Sequence, residues 1–147
     1  MDNYGLGAIL AFVCGWFFAQ TGKLIGDIIS KKRLLTGPEV VNAFVRSGGM
    51  PSGHTASFVG VTTYFGMQYG FMSGIFALSA CMTIIVIYDA VNVRYAVGEQ
   101  GKLLNIIALN QNFKKRKVKV VEGHTIPQVC IGAVLGVMIG IVMSLWF

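Results

Sequence analysis

The closing stretch "TIPQVCIGAVLGVMIGIVMSLWF" (Thr125–Phe147) decides the fold. It contains no charged side chain, and a membrane-spanning helix needs roughly 20 predominantly apolar residues. Three other stretches have the same character. Tyr4–Gly22 and Phe71–Tyr88 are uncharged, and Ser52–Tyr69 carries only His54 near its start. Hydrophobic residues make up 54% of the chain and charged residues 12%. Soluble domains carry about 25% charged residues, so an ordinary soluble fold is excluded. The expected class is all-α: a polytopic membrane helical bundle of about four transmembrane helices, with residues 1–147 forming one transmembrane domain. Spans two and three are joined by the short "MQYGFMSG" and should form a tight hairpin. Only Asp2 stands before span one as a charge, without the basic segment of a cleavable signal, so span one is expected to be retained.

Small residues let membrane helices approach closely. "GAVLGVMIG" (Gly132–Gly140) repeats glycine every fourth residue and reads as a packing face. Association of two chains through such faces would give a homodimer. Cys14, Cys81 and Cys130 lie inside apolar spans without C-x-x-C spacing. They read as buried small hydrophobes, with no disulfide framework, metal site or cofactor implied.

All twelve Lys and Arg lie in two segments, Lys23–Arg46 between spans one and two and Arg94–Lys119 between spans three and four. Spans of alternating direction put both segments on one face. The positive-inside rule makes that face cytoplasmic, in what is expected to be a bacterial plasma membrane, with both chain ends opposite. The run "KKRKVK" (Lys114–Lys119) suits topology and anionic lipid headgroups better than nucleic acid. "LLNIIALNQNF" (Leu103–Phe113) has apolar positions at helical spacing. It fits an interfacial helix over the same face or a helix packed on the bundle's end.

The unusual polar residues stand at span ends. Gln20 and Lys23 end span one, and Ser52, Gly53 and His54 begin span two. Asp89 and Arg94 end span three, and Glu122 and His124 precede span four. The topology brings all four ends to one face, and ionisable groups at membrane depth are functional by default. They suit phosphate. Ser52 and Gly53 lie at a helix start, where unpaired N–H groups and the helix dipole favour an anion. Lys23 and Arg94 supply positive charge, the arginine as a fork. Two histidines offer a nucleophile and a proton donor. Asp89 or Glu122 could orient a ring nitrogen. The bland alternatives are a capped histidine, an Asp89–Arg94 pair, and Glu122 complementing a helix dipole.

"PSGHT" (Pro51–Thr55) resembles the second motif of the type-2 phosphatidic acid phosphatase and vanadium haloperoxidase superfamily, which shows K-x6-R-P, P-S-G-H and S-R-x5-H-x3-D. "AQTGKLI", "SGGMPSGHTA", "YDAVNVRYAVGEQGKLLN" and "EGHTIPQVCIGAVLG" extend the resemblance to its divergent bacterial and plant membrane branch, across nearly the whole chain. The resemblance implies a helical bundle that hydrolyses a phosphate ester through a phosphohistidine, without metal. It implies that Lys23, Ser52 and Gly53 hold phosphate, that His54 protonates the leaving group and that His124 is the nucleophile. The chain departs from the motifs at Ser30 and Lys31, at Lys117 and Val118, and at Gln128. Arg94 and Asp89 are the candidate replacements, followed by Glu122 as orienting carboxylate and Lys119 as phosphate ligand. The expected activity is that of a lipid-phosphate phosphatase. The alternative is a non-catalytic binder or transporter of phosphate headgroups. Halide oxidation with vanadate is disfavoured, because apolar spans favour a lipid substrate.

Overall fold

The computed structural model describes residues 3–32, 34, 36–45, 48–111, 117, 118, 120 and 123–147. They form α1 (Tyr4–Lys31), α2 (Gly37–Val45), α3 (Gly53–Tyr69), α4 (Gly74–Tyr88), a π-helical turn (Asp89–Val93), α5 (Arg94–Asn110) and α6 (Ile126–Trp146). No strand occurs among the described residues. The chain is an all-helical, polytopic membrane protein.

α3 is the axis, packed by α1, α4 and α6. Glycine makes the approach possible. A Cβ on Gly136 or Gly140 of α6 would stand 2.6 Å from the backbone oxygen of Ala56 or Gly60, and one on Gly132 would stand 2.7 Å from that of Ser52. From the other side, a Cβ on Gly15 of α1 would stand 2.8 Å from the Ala56 oxygen. The four-residue spacing read as a packing face is therefore the α6–α3 seam within one chain, and those glycines are used up there.

Hydroxyl and amide side chains add directional ties. Ser57 Oγ donates to the Phe12 carbonyl at 3.0 Å, joining α3 to α1. Thr83 Oγ1 donates to the Phe58 carbonyl at 3.3 Å and lies 2.8 Å from Thr62 Oγ1, joining α3 to α4. Gln68 Nε2 donates to the Ser144 carbonyl at 3.0 Å, joining α3 to α6. Such bonds between membrane helices average about 0.6 kcal/mol each, so they set register more than they supply stability.

Among the described residues three runs are long and apolar enough to cross a membrane: α1, the continuous Gly74–Asn110 run and α6. α3, with 17 residues, is about 25 Å long. Enclosed by its neighbours, it accommodates hydroxyl residues that a lipid-facing helix would not. The outer surface is apolar, with Phe17, Leu78, Ile84, Val134 and Leu145 all exposed. At one end of the bundle Tyr64 is fully buried with Ala8 and Ala11, and Met143 and Phe147 pack against this group. The start of α1 and the end of α6 meet the end of α3 there, through the Tyr4–Tyr69 ring contact and the Gln68–Ser144 hydrogen bond. The other end carries the charges.

Three details differ from the sequence reading. Span one does not stop at Gly22: α1 continues nine residues further, about 14 Å, until Lys32 turns into the left-handed region with φ 51°. Nothing between Gly22 and Lys31 breaks a helix, since Lys and Asp end an apolar run without ending hydrogen bonding. The helix expected after span three is α5, joined to α4 without a break. The 37-residue run is about 55 Å long, well beyond a hydrocarbon layer of about 30 Å. Finally, Cys81 and Cys130 are exposed, not buried, and Cys14 is half-buried. In a bilayer the outside of a bundle is as apolar as the inside, so an apolar position carries no information about burial.

Replacing Gly136 by Ala should lower stability by about 1–3 kcal/mol, the usual cost of overpacking, because the obstructing atoms are backbone. Gly26→Ala, with nothing within 4 Å of the new methyl, should be neutral or slightly stabilising. Thermal unfolding in one detergent distinguishes the two, and equal apparent Tm values would contradict the seam.

Candidate phosphate site at the charged end of the bundle

The site is built on the π-helical turn. Its wide turn closes with the Arg94 N–H bonded to the Asp89 carbonyl, five residues back. Such bulges within α-helices frequently mark functional sites. Here it stacks side chains that an α-helix would separate: Arg94 Nε donates to Asp89 Oδ2 at 2.6 Å. Both side chains are more than a third exposed, so the pair adds little to stability. Its effect is orientation. Asp89 engages the Nε–H and leaves the guanidinium's terminal N–H groups to other acceptors.

The segment before α6 straps onto the same turn. Gly123 lies so close to α5 that a Cβ would stand 2.5 Å from both Cα and N of Tyr95. The His124 N–H donates to the Ala90 carbonyl at 3.0 Å. This backbone anchor holds the His124 side chain, which is buried.

The proton on His124 can be placed. The Thr125 N–H donates to Gln128 Oε1 at 3.0 Å. A backbone N–H cannot accept, so the amide is fixed with its oxygen on this side. The same oxygen lies 3.2 Å from His124 Nδ1, which must therefore be the donor of that pair. The neutral ring then has its lone pair on Nε2. Burial holds the His124 proton affinity below the usual imidazole value. The Gln128 hydrogen bond opposes this shift, and the charges of Lys23, His54 and Arg94 reinforce it. The result is a neutral, oriented imidazole at pH 7.

The start of α3 meets this group from the opposite side. The Ser52 N–H donates to the Gln128 carbonyl at 3.1 Å, tying the cap of α3 to the first turn of α6. Ser52 Oγ accepts from Thr55 Oγ1 at 2.9 Å and from the Thr55 N–H at 3.4 Å, so its oxygen is a helix cap and its remaining capacity is one O–H. Gly53 is next. Its nearest neighbours from a hypothetical Cβ are Trp16 at 3.6 Å and Ala19 at 3.9 Å, ordinary contact distances. No neighbour requires glycine there, and the residue is buried against α1. His54 is exposed on the first turn, within the fields of Arg94, Lys23 and Asp89.

Lys23, Ser52, Gly53, His54, Asp89, Arg94 and His124 therefore belong to one end of one bundle. Glu122 and Lys119 lie outside the described residues. Val118 sits in place of the motif arginine and is held by Asn105 of α5 through two backbone bonds of 2.8 and 2.9 Å. Asp89 does not orient His124, because the π turn commits it to Arg94. Gln128 takes that place. The π turn and the Ala90 anchor carry no signal in the sequence. Among the described residues no three metal-ligating side chains converge.

A family model described as the divergent PAP2 family matches residues 6–139. The uncharacterized membrane protein YuiD of Bacillus subtilis (strain 168) is 29% identical over 166 aligned positions, covering 100% of this chain and 98% of that protein. No solved structure matches.

Long-range nitrogen–proton correlation spectra of histidine-labelled protein should show His124 protonated on Nδ1 at pH 7. Because its folded proton affinity is lowered, the unfolded state takes the proton first as pH falls below about 6.5. The stabilisation is complete above that value and is lost as pH falls toward the folded value. Part of the acid sensitivity of Tm should disappear in His124→Asn. Gln128→Leu removes an interaction that favours protonation and should lower the titration midpoint further, whereas an upward shift would refute the assigned hydrogen bond.

Proposed function

Since the chain belongs to the divergent PAP2 family, we propose that it is an integral membrane phosphatase that hydrolyses a lipid phosphomonoester or pyrophosphate at the cytoplasmic leaflet of a bacterial plasma membrane. The observation that carries this reading is the Thr125–Gln128–His124 chain, which turns a buried, neutral imidazole so that Nε2 keeps its lone pair. It lies within electrostatic reach of two cations and a second histidine.

In the reaction, Lys23, the terminal nitrogens of Arg94 and the free N–H groups at the start of α3 bind the phosphoryl oxygens. Donors fixed before the reaction begins are worth more than mobile ones, because they need no reorganisation as charge develops. His124 Nε2 attacks phosphorus, a P–N bond forms and the P–O ester bond breaks. Protonated His54 gives its proton to the leaving oxygen. A water molecule then attacks the phosphohistidine, His54 takes one of its protons, the P–N bond breaks and inorganic phosphate leaves. The ring is cationic while it carries the phosphoryl group at Nε2 and the proton at Nδ1. Gln128 can accept from Nδ1 but carries no charge to offset it. That neutrality favours the second reading, a protein that binds phosphate headgroups without turning them over.

Phosphate release by detergent-purified protein from a panel of lipid phosphates tests the reading. His124→Ala should abolish release. His54→Ala should slow alkyl ester hydrolysis by about 10²–10⁴-fold, and much less for an aryl phosphate, whose leaving group needs no proton. Release by His124→Ala at the wild-type rate would remove His124 from the mechanism. Absence of release by wild type, with saturable phosphate binding, would select the binder. Gly53→Ala, which the neighbouring helix tolerates, should keep wild-type Tm and lose phosphate affinity.

A further inference from the structure

Gln20 is buried on α1, with 5% of its surface exposed. Its Nε2 donates to the Phe44 carbonyl of α2. That bond fixes the amide's orientation, since a carbonyl cannot donate. Oε1 therefore faces the other way, and among the described residues it has no hydrogen-bond partner. It lies 4.0 Å from the point where a Cβ of Gly53 would stand. Trp16 and Ala19 of α1 stand 3.6 and 3.9 Å from the same point, so the oxygen lies in the α1–α3 contact, beside the first residue of α3. A buried acceptor without a donor costs about 1–3 kcal/mol, and this one stands beside Gly53, the first residue of α3.

The ligand implied has an unusual feature. Lys23, Arg94, His54 and the N–H groups of α3 all offer protons to bare anionic oxygens. Gln20 Oε1 can only accept one. A group that satisfies both is a phosphate bearing a P–OH. Inorganic phosphate carries such a proton throughout the neutral range, and a phosphomonoester carries it as the monoanion. Sulfate and phosphodiesters do not carry it at neutral pH. We propose that Gln20 is a binding residue that accepts a hydrogen bond from the protonated oxygen of a phosphate group at the start of α3. It thereby selects phosphate over sulfate and monoesters over diesters. This rests on the reading of the site as a phosphate site and deepens it to a substrate class, but it does not require turnover.

The test is direct calorimetric binding to the detergent-solubilised full chain, using inorganic phosphate, sulfate, dihexanoyl phosphatidic acid and its methyl diester. Wild type should prefer phosphate over sulfate by on the order of ten- to a hundredfold, and the monoester over the diester similarly. Gln20→Met should bring both ratios to within about threefold. Losing only the Phe44 tether would weaken all four probes together and leave the ratios unchanged, so unchanged ratios in a folded Gln20→Met variant overturn the assignment. If that variant does not fold, the wild-type ratios still decide, because equal binding of phosphate and sulfate is incompatible with the proposal. Tighter binding of the lipid than of inorganic phosphate identifies a headgroup as the source of the P–OH, and the reverse identifies free phosphate. Discrimination without phosphate release keeps the Gln20 assignment and discards the phosphatase. Release without discrimination does the opposite.

Discussion

The structure depends on how closely α3 can be approached. Gly132, Gly136 and Gly140 of α6 and Gly15 of α1 let two helices rest on the α3 backbone, at distances that any side chain would prevent. In a membrane, lipid is as good a neighbour for Leu as another helix is, so close packing and hydrogen bonds must supply what hydrophobic burial supplies in water. The seam ends at Ser52, where the α3 cap is bonded to the first turn of α6. The contact that holds the bundle therefore also sets the distance between the start of α3 and His124.

A second constraint is the π turn. By widening the helix at Asp89–Val93 it aligns Asp89 with Arg94 and leaves the Ala90 carbonyl to receive the backbone of His124. Bundle packing delivers α3, and the π turn delivers the strap. The site is formed where the two meet. Its electrostatics follow from the same construction. Burial and nearby cations keep His124 neutral, and Gln128, held by the backbone of Thr125, fixes the side of the ring that carries the proton. An amide in a position where the family motif has a carboxylate changes the chemistry in one respect. It still orients the ring, but it does not neutralise a positive one.

Much of this was legible in the chain. Charge-free runs identify the membrane helices, because a bilayer tolerates few other sequences. Alternating direction alone brings Lys23, Ser52, Gly53, His54, Arg94 and His124 to one end, since it depends only on the order of the spans. The glycine spacing on α6 is visible because helical periodicity is local. Burial is not: Cys81 and Cys130 occupy apolar positions yet face outward. The end of α1 was not legible either, because hydropathy reports where lipid stops and hydrogen bonding reports where a helix stops.

The sequence by itself determined the class of protein, the polar end of the bundle and which polar residues gather there, since these follow from solvation and from chain order. Only the tertiary structure decided which partner each residue takes. Asp89 went to Arg94 through an i to i+5 turn that no residue pattern announces. Gln128 went to His124 through a capping bond with Thr125. Gln20, one of the polar residues at the end of span one, was left with one buried oxygen beside the first residue of α3. Partner choice depends on ångström-scale distances between elements remote in the chain, and those exist only once the helices have packed.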